Sequence, residues 1–227
     1  MVGEHYYHFG GVSPLNALNR EIIDHLEGEL NKRGHNLPVY FGNRNWHPFA
    51  NETAEQMSRD GIRKVAVFAT SAWGGYSACR QYDEDIQRMR EHLAQQGLPE
   101  IEFTKIRQFF DHPKFVAEMA TAVTEVWEQV SADKKGTTRL LFTAHSVPVA
   151  HDNVGGAEGD KNLYSRQVAE AARLVALQAG ISDYDLVWQS RSGNPRTPWL
   201  EPDIIDHTTD IHHNEGIDTV VVCPIGF

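Results

Sequence analysis

No run in the sequence approaches the roughly 20 apolar residues of a membrane-spanning helix. The opening stretch MVGEHYYHFGG has neither the basic nor the apolar region of a signal peptide. Both absences point to a cytoplasmic protein. Cysteine is scarce, with only Cys79 and Cys223 in 227 residues. Two isolated thiols fit a reducing compartment better than a disulfide framework. Positive charge is short as well: 21 Lys and Arg stand against 31 Asp and Glu, a formal net charge of -10. That balance argues against the basic stripe of a nucleic-acid surface. Also missing are a Gly-x-Ser-x-Gly elbow, a His-Glu-x-x-His pair and a phosphate loop.

What is present describes a globular chain. Apolar residues make up 41% and charged residues 23%, enough to bury a core without spanning a membrane. Helical and strand signals alternate. Ser13-Pro14 opens the first clear helix, with Ser13 as a candidate N-cap, and Leu15, Leu18, Ile22, Leu26 and Leu30 recur at helical spacing up to Gly34. Strands are predicted at 37–42, 64–70, 101–106, 138–144, 185–190 and 219–227. Helices are predicted after 13, at 49–60, 78–96, 113–132, 161–180 and 202–214. Such alternation implies an α/β protein with parallel sheets and helices on both faces. The polar stretch Asp133–Gly136 is the natural boundary between two α/β units. The chain stops directly after an apolar strand, and no strand precedes the first long helix, so both ends are expected to be truncated.

Five segments carry candidate chemistry. In HYYHFGGVSP (5–14) two glycines precede a serine-capped helix, which reads either as an anion-binding backbone or as a tight turn with its cap. SAWGGYSACRQY (71–82) follows a strand and holds Cys79, Arg80 and Tyr82; aromatics beside glycines suit a flat ligand, and the same residues suit an ordinary strand-to-helix loop. WQSRSGNPRTPWLEPD (188–203) is a long loop whose Trp188 and Trp199 read as functional or as core plugs. In HTTDIHH (207–213), His207 and His212 are five apart and off one helical face, which favours a solvated surface over a zinc site.

The fifth segment is LLFTAHSVP (140–148), an apolar strand that ends by delivering His145 between two hydroxyls. Open parallel sheets gather ligands outside the carboxyl ends of their strands. Imidazole there can accept a proton near neutral pH or bind a metal. Position alone leaves a loop-satisfying histidine equally open.

LLFTAHSVP, NLYSRQ (162–167), LVWQSRSGNPRTPWLEPD (186–203) and VVVCPIGF (220–227) resemble, in order, the successive signatures of ferrochelatases. HYYHFGGVSP and ATSAWGGYSACRQY (69–82) are similar to the actinobacterial branch of that family in particular. The resemblance implies two Rossmann-like units, 1–133 and 134–227, with a porphyrin in the cleft between them. It implies insertion of Fe²⁺ as substrate into coproporphyrin III, giving coprohaem in haem synthesis. By position, His145 matches the histidine that binds the iron and accepts pyrrole protons. Ser13 and Tyr82 match porphyrin and propionate contacts, and Tyr6 matches another more loosely; His5 stands where some relatives have an arginine. Cys79 matches one ligand of a 2Fe–2S cluster whose other cysteines the sequence lacks. An iron-facing glutamate expected after PIGF, and an N-terminal strand bearing a tyrosine, are likewise not in the sequence. The rival readings are a cobalt or sirohydrochlorin-type chelatase, which would not be expected to carry the 188–203 loop, and a non-catalytic tetrapyrrole carrier.

Overall fold

The structure, a computed structural model, describes residues 4, 7, 8, 10–75, 80–156, 159–194 and 196–226. Tyr6 and Cys79, both candidate site residues, lie outside that set, as does His5. Among the described residues the elements run α1 (Leu15–Lys32), α2 (Ala50–Arg59), β1 (Lys64–Val67), α3 (Gln81–Gln95), β2 (Glu102–Lys105), α4 (Pro113–Gln129), β3 (Thr138–His145), α5 (Val149–Asp152), α6 (Leu163–Ala179), β4 (Tyr184–Gln189), α7 (Ile204–Glu215) and β5 (Thr219–Pro224). The predicted alternation is therefore observed, and both sheets are parallel: β1 with β2, and β4–β3–β5 in that order.

Two differences from the sequence expectation have physical causes. Residues 37–42 run without strand pairing. A strand exists only with a laddered partner, and this segment is held instead by side chains: the Tyr40 hydroxyl donates to Asp60 at 2.8 Å and the Thr53 hydroxyl to the Phe41 carbonyl at 2.9 Å. The short helix α5 was not expected. Four residues after Pro148 are too few to show a helical period.

By density of contacts the chain divides into two compact units, Met1–Arg63 with His92–Glu100, and Lys64–Glu91 with Ile101–Phe227. In the first, α1 forms where its leucines recur, yet none of its residues is buried, and Leu15 is 61% exposed. Ser13 sits two residues before it, its Oγ accepting from the Leu15 amide at 3.3 Å, while Pro14 takes the N-cap position without a side-chain cap bond. Ala54, Met57 and Leu93 are buried, and Glu55 meets His92 at 2.6 Å.

The second unit holds both sheets. Leu140, Leu141 and Phe142 on β3 are all 0% exposed because helices cover the sheet on each face. Leu140, Phe142 and Ala144 pack with Val116, Ala120 and Val123 of α4 and Val168, Ala172 and Val175 of α6. Leu141 and Val187 pack with Ile211 of α7 and with Ile217. Each fully buried Val, Leu, Ile or Phe among them contributes roughly 1.5–3 kcal/mol of transfer free energy. Helix α6 ends at Gly180, whose φ of 69° closes the last turn with the Ile181 amide bonded to the Ala176 carbonyl at 3.0 Å. The start of β3 is pinned by Arg139, which meets Asp185 at 2.9 Å and Glu215 at 2.7 Å.

Phe142 is the largest fully buried side chain on the central strand. Truncating it to alanine in the full-length protein is expected to lower unfolding free energy by about 3–5 kcal/mol. Denaturant titration measures this; a loss under about 1 kcal/mol would mean that this sheet is not the core.

Candidate functional site

The polar end of β3 is where the buried strand emerges. Through Ala144 the strand is covered on both sides; His145 is exposed, and Ser146 behind it is again buried, at 2%. Neighbouring strands hold this tip by the backbone. The His145 amide donates to the Gly226 carbonyl at 3.2 Å and the Ser146 amide to the Gln189 carbonyl at 2.7 Å. His145 is in register with Gln189 on β4.

The ring itself is oriented. Nδ1 lies 2.6 Å from the Ser146 carbonyl oxygen. A carbonyl only accepts, so Nδ1 carries the hydrogen and the second ring nitrogen, Nε2, keeps its lone pair. A histidine held this way is ready to bind a metal or take a proton at Nε2.

The wall beside the histidine comes from the long loop after β4. The Leu200 amide donates to the Val147 carbonyl and the Val149 amide to the Pro198 carbonyl, each at 3.0 Å. The Ser146 hydroxyl donates to the Leu200 carbonyl at 2.9 Å, so the serine next to the histidine ties strand tip to loop. Of the two loop tryptophans, Trp188 is a core residue at 5% exposure, and Trp199 is half-buried.

A third element comes from the loop after β1. Trp73 is 2% exposed and stands against Gly226 and Ala144; a Cβ on Gly226 would lie 3.3 Å from the indole and 3.0 Å from the Ala144 Cβ. The same tryptophan lines a small opening with Ala69, Ser71, Tyr82, Lys105, Ile106, Arg107 and Gln108. The opening holds about 10 Å³, room for one water, so it is a contact point and not a macrocycle-sized cavity. Tyr82 sits half-buried on the first turn of α3, and Lys105 in the wall pairs with Asp83 at 2.5 Å. Trp73 is thus common to the Tyr82 opening and the packing behind His145. Ser13 belongs to the other compact unit.

The supports of this site carry no local sequence signal. Asp152, 1% exposed, is bound by the Ser165 amide at 3.1 Å, the Ser165 hydroxyl at 2.6 Å and the Asn162 side-chain amide at 3.0 Å. Asn162, the residue before α6, has a φ of 59° and offers no side-chain cap, so a carboxylate from α5 caps α6 in its place. Tyr164 and Gln167 lie within the NLYSRQ motif at the start of α6. The histidines of α7 behave as a structural surface: His207 meets Asp185 at 3.0 Å and His212 bonds the Ile217 carbonyl at 2.9 Å. Among the described residues no group of three His, Cys, Asp or Glu is arranged to hold a metal.

A family model described as Ferrochelatase matches residues 1–227. The coproporphyrin III ferrochelatase of Corynebacterium glutamicum is 58% identical over 226 residues, covering 100% of this chain and 60% of that protein. The protein of the same name from Nocardia farcinica is 57% identical over 227 residues, and that from Mycolicibacterium smegmatis 54% over 226, with 63% and 64% of their lengths covered. The chain therefore spans less than two thirds of the length of these curated relatives.

Cys223, on β5, is the one cysteine among the described residues, and it is 8% exposed. Burial pushes its thiol from the ordinary 9.0 up to about 11. The folded thiol stays neutral where the unfolded one ionises. Its contribution to stability is therefore full below pH 9.0 and is lost as pH rises through about 11. Peptide mapping after iodoacetamide treatment of the full-length protein at neutral pH is expected to find Cys223 unlabelled when native and labelled in denaturant. Labelling of the native protein would contradict this placement.

Proposed function

Because the chain belongs to the ferrochelatase family, we propose that the full-length protein inserts Fe²⁺ into coproporphyrin III to give coprohaem, a cytoplasmic step of haem synthesis. The observation that carries the proposal is the oriented imidazole of His145, with Nδ1 bonded to a carbonyl and Nε2 left as acceptor at the carboxyl end of a parallel sheet. The names of the curated relatives support coproporphyrin III as the ring.

The chemistry fits these residues. Fe²⁺ enters as two pyrrole N–H protons leave, so charge balances without any change of oxidation state. A neutral imidazole nitrogen can serve as donor to the arriving iron and as acceptor for a departing proton. Under this reading His145 is the base and iron ligand. Tyr82, beside the Lys105 and Arg107 side chains, contacts the macrocycle or its propionates, and Ser13 and Tyr6 do the same from the other end of the sequence. Two Rossmann-like units, 1–133 and 134–227, form part of the same proposal.

A 2Fe–2S cluster requires about four cysteine thiolates. The chain has two cysteines, and Cys223 is buried and protonated, so the described residues do not fit the cluster. Its presence in the full-length protein, with Cys79 as one ligand, is a separate proposal, and no step depends on it.

The test is iron insertion by the full-length protein, followed by the absorbance change of coproporphyrin III with Fe²⁺ under anaerobic conditions. His145→Ala is expected to lose insertion by at least about a hundredfold, while still shifting the porphyrin spectrum on binding. Turnover at the unmodified rate in that variant would remove His145 from the chemistry.

A further inference from the structure

Helix α6 touches both halves of the carboxyl edge through two polar side chains one turn apart. The Tyr164 hydroxyl donates to the His145 carbonyl at 2.9 Å. The Gln167 Oε1 accepts from the Gly74 amide at 2.5 Å. Both bonds are buried or partly buried and reach far in sequence, 19 and 93 residues. The loop is pressed onto the helix by glycines: a Cβ on Gly74 would lie 2.6 Å from the Leu163 side chain, and one on Gly75 3.2 Å from the Tyr164 Cβ. Only residues without a side chain allow that approach.

We infer that Tyr164 and Gln167 are positioning residues that hold the His145 tip and the Trp73–Gly75 turn to one helix at a fixed spacing. The inference rests on the proposed function. The Tyr164 hydroxyl bonds the His145 backbone; it fixes the peptide whose neighbouring carbonyl, on Ser146, holds Nδ1. Its ring needs no hydroxyl for packing, since it lies against Trp188 with centroids 5.8 Å apart, a contact phenylalanine can keep. The helix cannot slide under this load, because Asp152 clamps its first turn through Ser165 and Asn162.

The test compares full-length Tyr164→Phe, Gln167→Leu and Gln167→Glu with the unmodified protein in iron insertion into coproporphyrin III, with kcat, KM and melting temperature measured for each. Removing one bond at the edge is expected to lower kcat about tenfold to a hundredfold in Tyr164→Phe and Gln167→Leu. KM for coproporphyrin III and melting temperature should change little, and Gln167→Glu, which keeps an acceptor for the Gly74 amide, should recover kcat. Unchanged kcat in both bond-deleting variants overturns the inference. So does a fall in kcat that only follows a fall in melting temperature, since that marks a structural role alone. No insertion by the unmodified protein overturns the proposed function itself, an outcome separate from either of these.

Discussion

A strand covered by helices on both faces can present a polar side chain only where it leaves the sheet, and the placing of His145 follows from where β3 does so. From Leu140 to Ala144 its residues are fully buried and, apart from Thr143, apolar; the Thr143 hydroxyl turns to Gln189 at 3.4 Å. His145 is the first side chain free of that cover. The backbone at this point is still held by β4 and by the end of β5, so an exposed imidazole stands on a rigid base. Sites built on strand ends in this way keep their geometry better than sites on loops alone.

The second requirement is that the ring be held in one state. A lone histidine on a strand tip can present either nitrogen. The Ser146 carbonyl removes that freedom, and Ser146 is itself fixed by Leu200 and Gln189. The loop 188–203 is therefore more than a connection: it anchors the residue that sets the imidazole. Helix α6 adds a brace from the opposite direction, capped by a carboxylate that lies ten and more residues earlier in the chain.

Much of this was legible in the sequence, and the rest was not for identifiable reasons. The apolar run 140–144 and the periodic stretch ending at Gly180 announce β3 and α6, because burial on two faces and on one helical stripe each leave a local pattern. The segment 37–42 misleads, since apolar residues beside a glycine read as a strand whether or not a partner strand exists. The place of His145 at a strand end could be read, but its tautomer could not, because the Ser146 carbonyl is a backbone group with no residue signature. Asp152 lies in AHDNVGG, which reads as a loop, and its role appears only when Asn162 takes a left-handed conformation and leaves α6 uncapped. Tyr164 and Gln167 act on backbone groups 19 and 93 residues away, distances at which no periodicity operates.

The central claim is that the free imidazole of His145 carries its hydrogen on Nδ1 and offers Nε2. Long-range ¹H–¹⁵N correlation of the full-length protein labelled in histidine tests it directly, with the His145 signals assigned by their loss in His145→Gln. The neutral ring is expected to show a protonated Nδ1 and an unprotonated Nε2 in the metal-free protein. A hydrogen on Nε2, or rapid exchange between the two nitrogens, would contradict it.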